Sequence, residues 1–471
     1  MQAKIFFGSI EASKENISER KSPYSGEVVS SAPICDELDA KKALKIAQNA
    51  TKDAKASTLA QRCSWLLDVA QKLREQKEDM AKTICDEVGK PITFARVEVE
   101  RCIETVTLSA ETMRTMHGET INTDAFASGK KTTAFFTREP AGVVVAITPF
   151  NFPLNLVGHK LAPALVAGNT VVLKPTPEAP LTAYKFAKLF VESEFAIKDA
   201  LSVVYGDAEV GSALISSDIP RVISFTGSVP VGNIITKSAG IKKVSLELGG
   251  NAATYISKTA DLDLAAARCA LGAFVNSGQV CISLQRIYVN ADIYEEFALK
   301  MAEETKKLIV GNPYDDNTFM GPLIDDDAAE RAMAWVESAI EEGARALLTP
   351  KNEGRMFHPC VMADVSDDMA IVCEEVFAPI VSLVKVDDFD DALPRMNNSP
   401  YGLQFSVFTN DLVLTKRAIN ELEAGGIVIN DMPTLRFDIQ PYGGVKLSGV
   451  GREGPKFAIE EMTEIKSVVI C

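Results

Sequence analysis

Three short segments carry side chains whose types and spacing suit covalent catalysis. Gly278-Gln279-Val280-Cys281-Ile282-Ser283 sets a cysteine after a glycine that can turn the chain sharply. Leu246-Glu247-Leu248-Gly249-Gly250 puts a carboxylate at the expected end of a strand, followed by two glycines. Pro149-Phe150-Asn151-Phe152-Pro153 fixes an asparagine between two rigid prolines. A free thiol with a pKa of about 8.5 is only a few per cent thiolate at neutral pH. Cys281 therefore needs a base or an electropositive pocket, and Glu247 is the candidate base. The bland alternatives are a buried small hydrophobe for Cys281, a solvated carboxylate for Glu247 and a turn cap for Asn151. Only three histidines exist, His117, His159 and His358, and none lies in a catalytic motif. Proton transfer thus falls to a carboxylate.

The surrounding pattern says how such groups are positioned. Residues 39–116 show apolar residues recurring at three and four, as in Leu59, Cys63, Leu66, Leu67, Ala70 and Leu73, which predicts helices. Gly89-Lys90-Pro91 breaks them. After an alternating strand at 132–137, short apolar strands (143–147, 170–173, 201–204, 222–225) alternate with helices (156–167, 181–193, 209–217). That predicts right-handed βαβ units and a parallel sheet, whose strand ends face a ligand crevice. A second alternating run starts near Val244, with helices at 262–274, 294–308 and 328–342, a strand at 286–289, and an acidic N-cap at 325–327.

Composition narrows the function classes. At 471 residues the chain exceeds one hydrophobic core, so two or three abutting domains are expected. A net charge of −15 speaks for solubility and against nucleic acid or an anionic membrane as partner. Nine cysteines stand singly with no CxxC, which predicts no disulfide framework, no metal site and a reducing cytoplasm. Residues 1–20 are charged throughout and lack the apolar core of a secretory leader. The uncharged run 140–158 contains Pro149, Pro153, Asn151 and Asn155, which argue against a membrane span.

Further motifs follow in order: Lys174-Pro175, Phe225-Thr226-Gly227-Ser228 with Gly232, Glu375-Val376-Phe377, and Pro441-Tyr442-Gly443-Gly444-Val445-Lys446-Leu447-Ser448-Gly449. With these the chain resembles the aldehyde dehydrogenase superfamily over essentially its whole length. The resemblance implies an α/β fold with a Rossmann-type cofactor domain (1–117 and 138–249), an α/β catalytic domain (250–449), and a small β oligomerisation element with the C-terminal tail (118–137 and 450–471). A homodimer or homotetramer is expected, because the apolar end of the tail is a liability as an unpaired edge strand.

The resemblance also implies roles. Oxidising an aldehyde by hydride transfer needs a tetrahedral adduct, which the Cys281 thiol would form. The Asn151 amide and the Cys281 backbone N–H would hold the adduct's oxyanion. Glu247 would activate the water that hydrolyses the thioester, an argument against relatives that pass the acyl group to coenzyme A. Gly227, Ser228 and Gly232 would meet the cofactor phosphates at a helix N-terminus. Lys174 and Glu375 would bind its two riboses, with Phe377 packing nearby; the glycine usual after this phenylalanine is Ala378 here. NAD-preferring relatives often carry a glutamate three residues after the lysine, where this chain has Pro177, with Glu178 next. Pro177 removes the repulsion of a 2′-phosphate without adding a donor, so dual or NADP-leaning use is expected.

For substrate, Arg436 in the run 430–438 and the Cys281–Ser283 context resemble the branch of lactaldehyde, sulfolactaldehyde and non-phosphorylating glyceraldehyde-3-phosphate dehydrogenases. Arg101 falls where members acting on phosphorylated substrates carry an arginine for the anionic tail. A surface pair with Glu98, and a structural partnership of Arg436 with Asp438, are the alternatives. A small 2-hydroxylated or anionic aldehyde is expected, with Arg101, Ser283 and Arg436 as contacts. Succinate semialdehyde and glyceraldehyde 3-phosphate stay open, as does a non-catalytic binding role for the fold.

Overall fold

A computed structural model describes residues 1–349 and 351–471. The expected helical stretch forms four helices, Glu37–Ala56, Leu59–Glu75, Lys77–Val88 and Ile92–Thr115. Gly89 takes φ 69° between the last two, where a helix C-terminus favours glycine.

The first sheet has eight strands. Its five parallel central strands run in the order Leu201–Val203, Thr170–Lys174, Val143–Ile147, Val222–Thr226, Lys243–Glu247. The chain moves outward in one direction from Val143–Ile147 and then returns to its other side. The order thus reverses between Val143–Ile147 and Val222–Thr226, and the crevice of an open α/β sheet lies at such a switch point. Asn151, Gly227 and Glu247 all sit at or just past the C-terminal ends of these strands. The helix Asn155–Val166, buried at all twelve positions, backs the crevice.

A second, seven-stranded sheet contains Ala252–Ile256, Leu284–Asn290, Ile380–Val386, Gln404–Phe408 and Gly426–Ile429 in parallel. Cys281 precedes Leu284–Asn290, at that sheet's N-terminal edge. The reactive segments therefore meet where one sheet's C-terminal edge faces the other's N-terminal edge.

The last residues divide, unlike the single tail expected from 450 onward. Gly449–Val450 pairs antiparallel with Leu246 and Glu247 on the first sheet. The helix Pro455–Glu461 packs on Ile92–Thr115 and Asn155–Val166. Burial of Ala458 and Ile459 drives this docking. Only Thr463–Ile470 joins the strand Thr133–Pro140, in an unbroken antiparallel register. Among the described residues no helix is long and apolar enough to cross a membrane.

Candidate active site

A cavity of about 720 Å³ lies between the two sheets and takes Asn151, Glu247 and Cys281 into one wall. The loop before the cysteine is bent by three successive left-handed residues, Asn276 (φ 52°), Ser277 (φ 56°) and Gly278 (φ 71°). Ser277 Oγ anchors it by donating to the Gly321 carbonyl at 2.8 Å. A Cβ on Gly278 would meet the Ala378 carbonyl oxygen at 2.2 Å, so the turn tolerates no side chain there. On the neighbouring segment a Cβ on Gly250 would meet the Cys281 carbonyl oxygen at 2.2 Å. The glycines after Glu247 thus let the strand approach the cysteine loop.

Cys281 is half-buried, and burial pushes its thiol up to about 11. Tyr442 and Arg436 oppose that rise, while the Glu375 and Glu247 carboxylates add to it. Asn151 is buried, and its Nδ2 donates to the Gln279 carbonyl at 3.2 Å, which orients the amide and leaves its second hydrogen free. Glu247 is 3% exposed, and neither carboxylate oxygen has a partner. Burial, then the neighbouring Glu453 charge, raises its pKa well above the ordinary carboxylate range.

Behind this wall runs a buried charge network. Lys160 Nζ donates to Glu453 at 3.1 Å and to Ser224 Oγ at 3.2 Å. Arg436 Nη2 donates to Glu453 at 3.1 Å, and its guanidinium carbon lies 3.6 Å from the Tyr442 ring centroid. Burial alone would raise the Glu453 pKa, but Lys160, His159 and Arg436 hold it below the ordinary range. Arg101 grips Asp438 with two bonds, at 2.7 and 2.9 Å, and His159 Nε2 meets the same carboxylate at 2.9 Å.

A model of the aldehyde dehydrogenase family matches residues 10–468. The chain belongs to the aldehyde dehydrogenase family. It is 44% identical to a 3-sulfolactaldehyde dehydrogenase of Priestia aryabhattai over 448 residues, 95% of this chain and 93% of that one. A lactaldehyde dehydrogenase of Methanococcus aeolicus is 39% identical over 96% of this chain and 97% of its own length. Among solved structures, glyceraldehyde-3-phosphate dehydrogenase GapN from Methanocaldococcus jannaschii, complexed with NADP, superposes with a TM-score of 0.93 at 38% identity. That match covers 97% of this chain and all of the other. Aldehyde dehydrogenase 21 from Physcomitrella patens, in complex with the reaction product succinate, gives a TM-score of 0.96 at 35% identity, over 100% of this chain and 98% of that one.

The other end of this aldehyde dehydrogenase's cavity fits a dinucleotide. Thr226, Gly227 and Ser228 line it where the helix Val229–Ser238 begins, and Ser228 makes no side-chain cap bond there. Backbone donors at that terminus are suited to an anionic group. Glu375 and Phe377 line it too; burial raises the Glu375 pKa to about 7, against a Gly250 N–H bond that lowers it. Phe377 holds a positive φ of 50° and packs edge-on against Phe150.

Several expected residues stand elsewhere. Gly232 is buried outside the cavity lining, and a Cβ there would meet Leu248 at 2.7 Å, so its lack of a side chain lets the helix pack on the strand. Lys174 is buried at its strand end outside the cavity lining, close to Asp207 and Glu178, while Pro177 is exposed beside it. Ser283 does not reach the cavity: it is buried and its hydroxyl donates to the Ala273 carbonyl at 3.0 Å. Pairing of Arg101 with Glu98 is also absent. Glu98 is taken by buried Lys90 and by the Leu154 and Asn155 backbone N–H groups, so Arg101 turns to Asp438. Both Arg101 and Arg436 line the cavity.

Sequence reasoning missed Lys160, His159, Glu453 and Tyr442. One signal was present: a histidine and a lysine stand together in the otherwise apolar stretch 156–167. Such residues are almost never fully buried without partners.

Proposed function

We propose that this enzyme oxidises a small 2-hydroxylated or anionic aldehyde to its carboxylic acid with NAD or NADP, through a thioester on Cys281. The observation that carries the reading is the convergence of Cys281, Glu247 and Asn151 with Arg101 and Arg436 on one cavity. The sulfur attacks the aldehyde carbon, a C–S bond forms, and the carbonyl π pair moves to oxygen. The Asn151 amide and the Cys281 N–H stabilise that oxyanion. A bound nicotinamide supplies the hydride acceptor. Glu247 then takes a proton from the water that attacks the thioester, and the C–S bond breaks to release acid and thiolate.

Charge in and behind the wall supports an anionic tail. Arg101 and Arg436 both line the cavity, and each is held by a buried carboxylate, Asp438 and Glu453 respectively. A guanidinium fork suits a sulfonate, phosphate or carboxylate. Of the relatives named above, the 3-sulfolactaldehyde and glyceraldehyde-3-phosphate dehydrogenases are named for anionic 2-hydroxyaldehydes and the lactaldehyde dehydrogenase for a neutral one. The strand Thr463–Ile470 exposes Ile465, Val469 and Ile470 and supports assembly into a homo-oligomer. All nine thiols are free, which supports a reducing, cytoplasmic location.

The test is absorbance at 340 nm with lactaldehyde, sulfolactaldehyde, succinate semialdehyde and glyceraldehyde 3-phosphate, each with both nucleotides, with and without coenzyme A. Nucleotide reduction that needs no coenzyme A is expected. Silence across the panel would overturn the proposal.

A further inference from the structure

We propose that Tyr442 is a catalytic residue of this chain, donating a hydrogen bond from its phenol to the Cys281 sulfur and so favouring the thiolate. The proposal rests on the thioester chemistry above and adds a second group that touches the nucleophile. Tyr442 Oη lies 3.0 Å from Cys281 Sγ. The tyrosine is 6% exposed, so bulk water competes weakly for the contact. A buried phenol has to place its proton somewhere, and the sulfur is the partner this one has.

The ring's other neighbour strengthens the donor. The Arg436 guanidinium carbon sits 3.6 Å from the ring centroid and is pinned there by Glu453. A cation over the π face draws electron density out of the ring and makes the O–H more acidic. Phenylalanine would fill the same wall with the same ring, so packing does not account for the hydroxyl. No proton leaves Tyr442 in this scheme. Its hydrogen bond is made to the thiolate and weakens as sulfur commits its lone pair to the new C–S bond.

The groups that bear on the sulfur's charge are Tyr442 and Arg436, which favour the anion, and Glu375 and Glu247, which oppose it when ionised. A hydrogen bond to a charged acceptor is worth about one to two pH units of thiol acidity. Some of that gain is returned, because a more acidic thiolate is less nucleophilic, with a slope of about 0.4–0.5. The net effect at neutral pH is about three- to tenfold in thiol reactivity.

The experiment is iodoacetamide alkylation of Cys281 in the full chain, followed by peptide mass spectrometry from pH 6 to 10, for wild type and Tyr442→Phe. Slower alkylation of Y442F by about three- to tenfold at neutral pH is expected, with thiolate absorbance near 240 nm appearing at higher pH. Retained circular dichroism and melting confirm that the variant folds. Equal or faster alkylation of Y442F overturns the proposal, because a merely space-filling tyrosine would leave the thiol as reactive or more open. Alkylation requires no turnover. A wild-type chain that oxidises no aldehyde but shows the tyrosine-dependent rate would overturn the functional reading while supporting this contact.

Discussion

Glu247→Gln separates the two halves of the proposed reaction. The carboxylate is buried, and neither oxygen holds a hydrogen bond, so exchanging one oxygen for an amide nitrogen breaks no existing contact. The shape of the side chain is kept, and what is lost is the capacity to take a proton from water. General-base assistance is worth about 10²- to 10⁴-fold, so thioester hydrolysis should slow by that factor. Hydride transfer precedes it and depends on Cys281 and Asn151, so one nucleotide per active site should still be reduced. Stopped-flow absorbance at 340 nm would then show a burst approaching one equivalent, followed by a slow steady state. Stability should move the other way. The raised pKa means the folded chain holds this proton more tightly than the unfolded chain, so the resulting stabilisation is complete below the unfolded pKa of about 4.3 and is lost as pH rises through the folded value. Glutamine does not ionise, and at alkaline pH the variant should melt at or above the wild-type temperature. Equal slowing of burst and steady state, or a lower alkaline melting temperature, would refute the reasoning.

Asn151→Ala removes one oyxanion donor and should slow single-turnover hydride transfer by about 100- to 1000-fold while substrate binding changes little. Asp438→Asn loosens the two-bond grip on Arg101, and KM for a sulfonated or phosphorylated aldehyde should rise about tenfold, with KM for a neutral aldehyde little changed. The same carboxylate is held far below its ordinary range by His159 and Arg101 against its burial, so it stabilises the fold above its unfolded pKa of about 3.9, and that contribution is lost as pH falls through the folded value. Acid-induced unfolding of D438N should accordingly be less steep in pH than that of wild type. Glu453→Gln strips Lys160 and Arg436 of their buried partner, at a cost on the order of 3–5 kcal/mol, and thermal scanning should find a lower melting temperature that Lys160→Met partly restores.

The site was legible where chemistry-bearing residues carry their own backbone signals. Cys281 follows Gly278, Glu247 precedes Gly249 and Gly250, and Asn151 lies between prolines, so type and local geometry could be read together. The parallel strands and their helices were legible from apolar runs of the right length, and the boundaries moved by only a few residues. Ser283 was misread because facing in a short turn depends on where the following strand starts. Two residues past Cys281, just before Leu284–Asn290, its hydroxyl meets the preceding helix instead of the cavity. The Glu98–Arg101 pair was locally sound at i,i+3, but Lys90 and two backbone N–H groups compete for the same carboxylate.

Sequence by itself determined the candidate nucleophile and the candidate base, the alternation that builds two largely parallel sheets and the family these motifs mark. Tertiary structure alone decided which charges meet: Lys160 and Glu453 are 293 positions apart, Arg101 and Asp438 337, and Cys281 and Tyr442 161. Local periodicity reaches only a few residues along the chain. Partners this distant are selected by the close packing of two sheets around one cavity, where an ion without a partner is too costly to bury.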